Sequence, residues 1–250
     1  MKSSKEQLIE VFDEIHNRGW VQSHRVNNTG IGKTFEDLAG IDENNSQGPD
    51  FMEFEIKAHR EEASSPITLF TLAPTFPKQA NGYLKDKFGE CYLNSSLKKL
   101  HTSVFADRMN SYIGKYSFKL INDRSSEVLK IAVFDLQSGV LLDDSVGYTY
   151  DKLREKLFKK LKSLFYVSAD RRFQNGIEEF LFTNAIIYTN PSFERFLDIL
   201  DDGRVQYDIR IGSYQSGTNY GKAHDHGSGF RIRQDYILEL YDNVEYINYE

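Results

Sequence analysis

A short segment near residue 50 carries side chains that could hold a divalent cation. Asp50 follows a proline, and Glu55 and Lys57 follow it in the segment PDFMEFEIK (49–57). Carboxylate oxygens are ligands that Mg²⁺ prefers, and bound Mg²⁺ neutralises a phosphate and activates a water molecule. A nearby ammonium group can orient that water and stabilise charge on the phosphate. The three residues are therefore candidates for phosphodiester hydrolysis, with Asp50 and Glu55 as the metal ligands.

This spacing of two acids and a lysine is common, so its meaning depends on the element that carries it. Residues 51–57 alternate apolar and polar side chains, which predicts a half-buried strand. On such a strand Glu55 and Lys57 project from one face, whereas Phe54 and Ile56 point into the core. The strand would thus carry Glu55 and Lys57 on one face, while its opposite face packs against the apolar core.

A second group of reactive side chains lies at residues 224–227, in the sequence HDHG. Two histidines at this spacing could bind a transition metal, and a polar loop without a ligand is the alternative. Cationic neighbours disfavour a bound cation, whereas His and Arg can donate hydrogen bonds to guanine in the major groove of DNA. We therefore favour base recognition. The neighbouring basic residues are Arg210, Lys222, Arg231 and Arg233.

A third segment, Gly32-Lys33-Thr34, resembles the end of a phosphate-binding loop. The glycine required five positions before Gly32 is replaced by Asn27, and no apolar strand precedes the segment. We interpret it as a turn followed by a helix over 34–40, with Thr34 and Asp37 as a capping box.

The distribution of charge along the chain favours a nuclease more than the net charge does. The 250 residues carry a net charge of −6, which by itself argues against nucleic acid as a partner. However, residues 36–62 sum to −7 and residues 235–250 to −5, which leaves +6 for the rest of the chain. Much of the positive charge lies in 151–172 and 204–233. An acidic centre with basic segments suits a metal-dependent nuclease, because carboxylates can hold the cation and basic side chains can contact phosphates. Each basic segment could also be the solvent-exposed face of a helix.

Composition excludes several other classes of protein. Hydrophobic residues make up 40% of the chain and aromatic residues 14%, which argues against disorder. A single cysteine, Cys91, argues against a disulfide framework and fits a reducing compartment, so we expect a cytoplasmic protein. The N-terminus is too charged for a signal peptide, and no apolar run approaches the ~18–20 residues of a membrane span. We therefore expect no membrane partner.

The periodicity of the chain predicts mixed helices and strands without repeats, in a single domain over 1–250. The fold class is thus α/β (α+β). Residues 176–189 are ambiguous between helix and strand. Helices are predicted over 4–18, 34–40, 151–165 and 192–200, and strands over 51–57, 66–72, 116–122, 128–136, 205–213 and 228–233.

Four segments together resemble the MvaI/BcnI family of type II restriction endonucleases. This family belongs to the PD-(D/E)xK nuclease superfamily and is related to the mismatch-repair nickase MutH. The resemblance runs from Asn27 to Ile232 and is poorest over 82–127, where we assign no role. The segments, in matching order and spacing, are NTGIGKTFEDL (28–38), PDFMEFEIK (49–57), TLFTLAPTFPKQAN (68–81) and DIRIGSYQSGTNYGKAHDHGSGFRI (208–232).

The resemblance implies a restriction-endonuclease-like fold, with a mixed central sheet flanked by helices. A catalytic lobe of about 1–170 and a recognition lobe of about 171–250 would lie on either side of a DNA cleft. It implies that Asp50 and Glu55 bind Mg²⁺, that Lys57 positions the water, and that Glu36 is an auxiliary acid. The residues that would contact DNA are Asp208, Arg210, Lys222, His224, His226, Arg231 and Arg233.

The resemblance also implies a monomeric, Mg²⁺-dependent enzyme that cuts double-stranded DNA at a short CCNGG-type site. It would cut one strand at a time, leave 5′-phosphate ends, and have a cognate DNA methyltransferase as its genetic partner. Three alternatives stay open at this point: a MutH-like nicking enzyme of DNA repair, a DNA-binding protein that does not cut, and a zinc phosphohydrolase that uses His224 and His226.

Overall fold

The computed structural model describes residues 2–27, 29–41, 49–60 and 65–249, so Asn28 and part of the acidic segment 36–62 lie outside it. Among these residues the helices are α1 (Ser4–His16), α2 (Gly30–Leu38), α3 (Ala80–Phe88), α4 (Tyr150–Leu161), α5 (Phe193–Asp201) and a 3₁₀ helix (Gln234–Leu240). The strands are β1 (Val21–Gln22), β2 (Phe54–Arg60), β3 (Ile67–Thr71), β4 (Glu90–Cys91), β5 (Lys98–Val104), β6 (Tyr116–Asp123), β7 (Val128–Asp135), β8 (Leu141–Thr149), β9 (Ser163–Gln174), β10 (Ile177–Pro191), β11 (Val205–Ser213), β12 (Ala223–Asp225), β13 (Gly229–Ile232) and β14 (Tyr241–Asn248). No helix in the described ranges is both long and apolar enough to cross a membrane.

The chain divides into two compact units. The first unit comprises Met1–Ser65, Phe158–Ser192 and Tyr241–Glu250, and the second comprises Pro66–Leu157 and Phe193–Leu240. The lobe boundary expected near residue 170 does not coincide with either set of limits. Strand pairing explains the difference, because β5 pairs with β11 and β3 pairs with β13, so residues 66–104 fold together with the C-terminal strands.

The first unit is built on a five-stranded sheet of order β1-β10-β9-β2, with β14 added on β10. β2 and β9 are parallel, and the other pairs are antiparallel. Helix α1 packs on this sheet through Leu8, Phe12 and Ile15, a spacing that puts all three on one helical face. Ser3 and Glu6 form a capping box at its start.

The second unit contains a six-stranded sheet of order β3-β13-β11-β5-β4, with β12 added on β11, and a three-stranded sheet of order β6-β7-β8. Successive side chains of strand β11 project from its two opposite faces. Tyr207, Ile209 and Ile211 are at most 1% exposed, whereas Gln206 and Arg210 belong to the polar face. The polar face carries most of the residues expected to contact DNA.

Most predicted elements are confirmed, and three boundaries were wrong. Helix α2 begins at Gly30, and the Thr34 hydroxyl donates to the Gly30 carbonyl at 2.7 Å, so Thr34 lies inside the helix and is not its cap. Helix α4 ends at Leu161, because residues 163–169 form a buried strand beside β2. The ambiguous segment 176–189 is strand β10.

The third wrong boundary is the start of the strand that carries the acidic residues. Phe51 and Phe54 exchange two backbone hydrogen bonds of 2.9 and 2.7 Å across a tight turn, and β2 begins only at Phe54. Met52 lies in this turn with a φ of 50°, in the left-handed region. The turn folds Asp50 back towards the strand that follows it.

Candidate functional site

Strand β2 holds Glu55 in a buried position at the edge of the apolar core. Its neighbours Phe54 and Ile56 are 3% and 4% exposed and pack in the core that α1 and α2 share with the sheet, as the alternation predicted. Glu55 itself is only 5% exposed. A carboxylate in such a place is costly without charged or hydrogen-bonding partners.

Two lysines provide those partners. Lys57 Nζ donates to Glu55 Oε1 at 2.5 Å, which confirms that the two side chains share one side of the strand. Lys160 Nζ donates to Glu55 Oε2 at 3.0 Å. Both oxygens of the buried carboxylate therefore accept from an ammonium group.

Lys160 was missed as a site residue, because it lies in the basic segment 151–172 and its spacing from Glu55 follows no local pattern. The fold explains its position. Helix α4 leads directly into β9, and Ser163 at the start of β9 pairs with Phe54 at the start of β2. The last turn of α4 therefore ends beside the start of β2.

Asp50 reaches the same stretch of backbone from the preceding turn. Its Oδ2 accepts from the backbone N–H of Ile56 at 2.9 Å. Since Ile56 lies between Glu55 and Lys57, the turn brings all three predicted residues to one short stretch of strand. Lys57 Nζ also donates to the Ile56 carbonyl at 3.3 Å, so that carbonyl faces the charged group too.

The donor set fits a hard divalent cation. Asp50 and Glu55 offer carboxylate oxygens, and the Ile56 carbonyl adds a neutral oxygen beside them. Over the part of the chain that the structure describes, no group of three or more His, Cys, Asp or Glu side chains could hold a metal. Mg²⁺ commonly binds through one or two carboxylates and keeps water and substrate phosphate as its other ligands. Two carboxylates therefore suffice for Mg²⁺.

Glu36, the expected auxiliary acid, lies half-buried on α2. Two other residues of this helix, Ile31 and Phe35, pack in the same core as Phe54 and Ile56 of β2. Helix and strand are thus held in one unit, and the auxiliary role of Glu36 stays a prediction.

In the second unit, Asp208 is the centre of a network on the polar face of the sheet. It is 7% exposed, and its Oδ1 accepts from Ser103 at 2.6 Å and from Gln206 at 2.7 Å. Its Oδ2 lies 2.8 Å from Arg231 Nε and 3.2 Å from Arg210 Nη2. One buried carboxylate thus orients two arginines.

The two arginines differ in exposure, and this separates their roles. The Arg231 side chain is 13% exposed, whereas that of Arg210 is 46% exposed. Arg231 also donates to the Thr68 hydroxyl, and burial together with the charge of Arg210 lowers its pKa. Arg231 is therefore largely part of the scaffold, and Arg210 presents a guanidinium to the outside.

Arg210 borders an open depression of about 440 Å³ in the second unit. His226 shares it, and the backbone N–H of His226 donates to the Arg210 carbonyl at 2.8 Å. A Cβ at Gly212 would lie 2.7 Å from His226 Nε2, so only glycine there allows the imidazole to approach β11. The residues lining the depression are His101, Thr102, Ser103, Asp208, Ile209, Arg210 and His226.

His224 lies beside this depression, and the other two predicted DNA contacts lie elsewhere. The His224 ring stacks on Tyr214 with centroids 4.3 Å apart and is 4.2 Å from the His226 ring. Lys222 donates to Asn219 on an exposed turn. Arg233 pairs with Asp235 and borders a separate depression of about 370 Å³ with Arg231.

Two residues of the segment 82–127, where no role was assigned, support this surface. His101 pairs across the strands with Arg210, and partial desolvation, followed by the charge of His226, lowers the His101 pKa. Lys85, 3% exposed on α3, donates to Ser213 Oγ at 2.9 Å and to the Gly221 carbonyl at 3.2 Å. It thereby ties together both ends of the loop over 214–221. The pairing of β5 with β11 could not be read from the sequence pattern.

Comparisons with known proteins show the family to which the chain is related. The model of the MvaI/BcnI restriction endonuclease family matches residues 9–241. Among solved structures, the chain is similar to restriction endonuclease MvaI in complex with its cognate DNA substrate, with 36% sequence identity, a TM-score of 0.87, and coverage of 98% of this chain and 99% of that one. It is also similar to MvaI in the absence of DNA, with 36% identity, a TM-score of 0.67, and coverage of 99% and 98%. No curated protein sequence matches significantly.

These matches confirm the resemblance and the restriction-endonuclease-like fold inferred from the four sequence segments. The matched range includes both the carboxylate–lysine site on β2 and the polar face around Asp208. The chain belongs to the MvaI/BcnI restriction endonuclease family and is a type II site-specific deoxyribonuclease.

Proposed function

We propose that this enzyme is a Mg²⁺-dependent endonuclease that recognises a short CCNGG-type site in double-stranded DNA. The observation that carries the metal-dependent chemistry is the convergence of Asp50, Glu55 and Lys57 on the backbone of Ile56. Two carboxylates for a cation and one ammonium for a water or phosphate are the groups that phosphodiester hydrolysis needs.

Asp50 and Glu55 would hold the Mg²⁺ ion, which activates water and neutralises the phosphate when bound. Lys57 would orient the attacking water and stabilise the charge that develops on the phosphate oxygens. Water adds to phosphorus, the bond from phosphorus to the 3′-oxygen breaks, and that oxygen leaves as a hydroxyl after taking up a proton. The phosphate therefore stays on the 5′ end of the cut strand.

Base recognition would depend on the depression beside Arg210. Guanine presents two acceptors, N7 and O6, in the major groove, and an arginine can donate to both at once. Arg210 and His226 supply donors, and Asp208 fixes the direction of the guanidinium. This chemistry suits a site rich in G·C pairs. We propose His224 as an additional contact, Lys222 and Arg233 as phosphate contacts, and Arg231 as the buried arginine that holds Asp208 in place behind the contact surface.

The proposed partner is double-stranded DNA, in line with the DNA complex of the similar restriction endonuclease MvaI. We propose that the enzyme acts as a cytoplasmic monomer and cuts one strand at a time, because one site can serve both strands by rebinding in the opposite orientation. A cognate DNA methyltransferase would protect the host DNA.

Cleavage of a supercoiled plasmid that contains CCNGG sites tests the proposal. Wild-type protein should give linear DNA with Mg²⁺ and no cleavage with EDTA, and sequencing of the ends should show 5′-phosphates at those sites. Asp50→Ala and Lys57→Ala should lose cleavage, whereas the exposed Glu53→Ala should keep it. Full cleavage by either of the first two variants would refute the assigned site. A persistent nick in place of linear DNA would favour the nicking alternative.

A further inference from the structure

The contact between Lys160 and Glu55 has no part in the proposed chemistry and needs its own explanation. Lys160 Nζ lies 3.0 Å from Glu55 Oε2, and the two side chains are 16% and 6% exposed. Pairs as buried as this lose much of their solvation, so they persist only when the geometry compensates for that loss. Here a helix and a strand that are 105 residues apart in the chain supply the two partners.

The formal charges of Asp50, Glu55, Lys57 and Lys160 sum to zero, and Lys160 is needed for that balance within these four described residues. Asp50 and Glu55 carry two negative charges, and Lys57 and Lys160 carry two positive ones. Without Lys160, a metal-free site would hold an excess negative charge on a carboxylate that is 5% exposed. A bound Mg²⁺ would reverse the problem, since it would add two positive charges next to two ammonium groups.

We propose that Lys160 is a positioning residue that serves as a counter-cation for Glu55 when no metal is bound and competes with the metal for that carboxylate. Lys57 is assigned to the attacking water and the phosphate. Lys160 comes from the end of α4 and contacts Glu55 Oε2, whereas Lys57 contacts Oε1. Lys160 therefore keeps the acidic site folded before the metal arrives, at the expense of metal affinity. The inference rests on the proposed function only for the identity of the cation.

Two DNA-free measurements test this role: the thermal unfolding midpoint without metal, and calorimetric titration with Mg²⁺ alone. Lys160→Met should lower the metal-free midpoint by several degrees, because Glu55 loses half of its charge compensation. It should also tighten Mg²⁺ binding by about tenfold, because an ammonium group 3.0 Å from Glu55 Oε2 no longer repels the incoming cation. Mg²⁺ should consequently stabilise the variant more than the wild type.

Three further variants separate charge from other effects. Lys160→Arg keeps the charge and should resemble the wild type in both measurements. Lys160→Gln keeps a hydrogen-bond donor without charge, and it should tighten Mg²⁺ binding as Lys160→Met does. Lys159→Met removes the same charge from an exposed neighbour on α4 and should change neither quantity.

Two results would overturn the inference. If Lys160→Met behaves like Lys159→Met, Lys160 has no special relation to Glu55. If Lys160→Met weakens Mg²⁺ binding and Lys160→Gln restores it, Lys160 orients the carboxylate through a hydrogen bond and does not compete with the metal. Neither readout involves cleavage, so a protein that shows the expected changes but cuts no DNA would refute the proposed function alone. A wild type that binds no Mg²⁺ would refute both the competition and the metal requirement.

Discussion

The carboxylate of Asp208 lies 2.8 Å from Arg231 Nε and also accepts from Arg210 at 3.2 Å, so one acid on β11 orients two arginines on neighbouring strands. The arginine of β13 is buried and that of β11 is half exposed. Asp208 therefore forms a buried ion pair with Arg231, and it orients the half-exposed guanidinium of Arg210. The two arginines should respond differently to substitution.

Arg210→Ala should reduce cleavage at the cognate site and leave the stability of the protein close to that of the wild type. The loss should be specific, because a direct base contact contributes ~1–3 kcal/mol of discrimination between sequences. Cleavage rates on cognate plasmid and binding to random duplex measure the two effects. Equal losses on cognate and random DNA would show that Arg210 contacts phosphates.

Arg231→Ala should destabilise the protein, because it leaves the buried Asp208 carboxylate with fewer partners. Removal of one member of a buried ion pair costs about 3–5 kcal/mol, and the remaining donors to Asp208, Ser103 and Gln206, should bring the cost to the lower end. Denaturant unfolding measures it. Arg233→Ala, which removes an exposed arginine, is the matched control and should stay within about 0.5 kcal/mol of the wild type.

Lys85→Met should loosen the loop over 214–221 while the fold persists. Lys85 is 3% exposed and holds Ser213 and the Gly221 carbonyl, so its loss leaves two polar groups with one partner fewer. Amide hydrogen exchange of residues 214–221 should accelerate, and cognate cleavage should fall because Tyr214, which begins this loop, stacks on His224. The exposed Lys78→Met is the control. Unchanged exchange would rule out the connection.

His59 should make the stability of the protein sensitive to mild acid. Burial lowers the pKa of this residue, whose side chain lies against Tyr166. The unfolded chain binds a proton near the ordinary pKa of about 6.5, whereas the folded chain binds it only at lower pH. This contribution to stability is therefore complete above about pH 6.5 and is lost as the pH falls towards the folded pKa. Unfolding free energies of His59→Phe should decline less over that range, and an identical decline would contradict this source of acid sensitivity.

Binding and cleavage should weaken as the salt concentration rises. The segments 151–172 and 204–233 carry an excess of positive charge despite the net −6 of the chain. Phosphate contacts release counterions from DNA, so the logarithm of affinity falls linearly with the logarithm of salt. Filter binding with random duplex between about 50 and 200 mM salt measures the slope. A slope of zero would show that these segments do not contact the phosphates.

Local pattern was enough to predict the strand that carries Glu55 and Lys57. Alternation along residues 51–57 depends only on the two-residue period of a strand, and the burial of Phe54 and Ile56 agrees with it. The turn from Phe51 to Phe54 could not be read from that pattern, because Met52 and Glu53 within the turn continue the same alternation. That turn is nevertheless what folds Asp50 back onto the Ile56 backbone.

The sequence by itself determined the kinds of side chain at the site, the mixed fold class and the family. These depend on residue identity, on periodicity and on the order of four segments, respectively. Only the tertiary structure decided that Lys160 reaches Glu55, that Lys85 holds Ser213, and that His101 faces Arg210. The first two pairs are 105 and 128 residues apart in the chain. Strand pairing and helix packing bring such residues together, and no local period of the sequence encodes the distance between them.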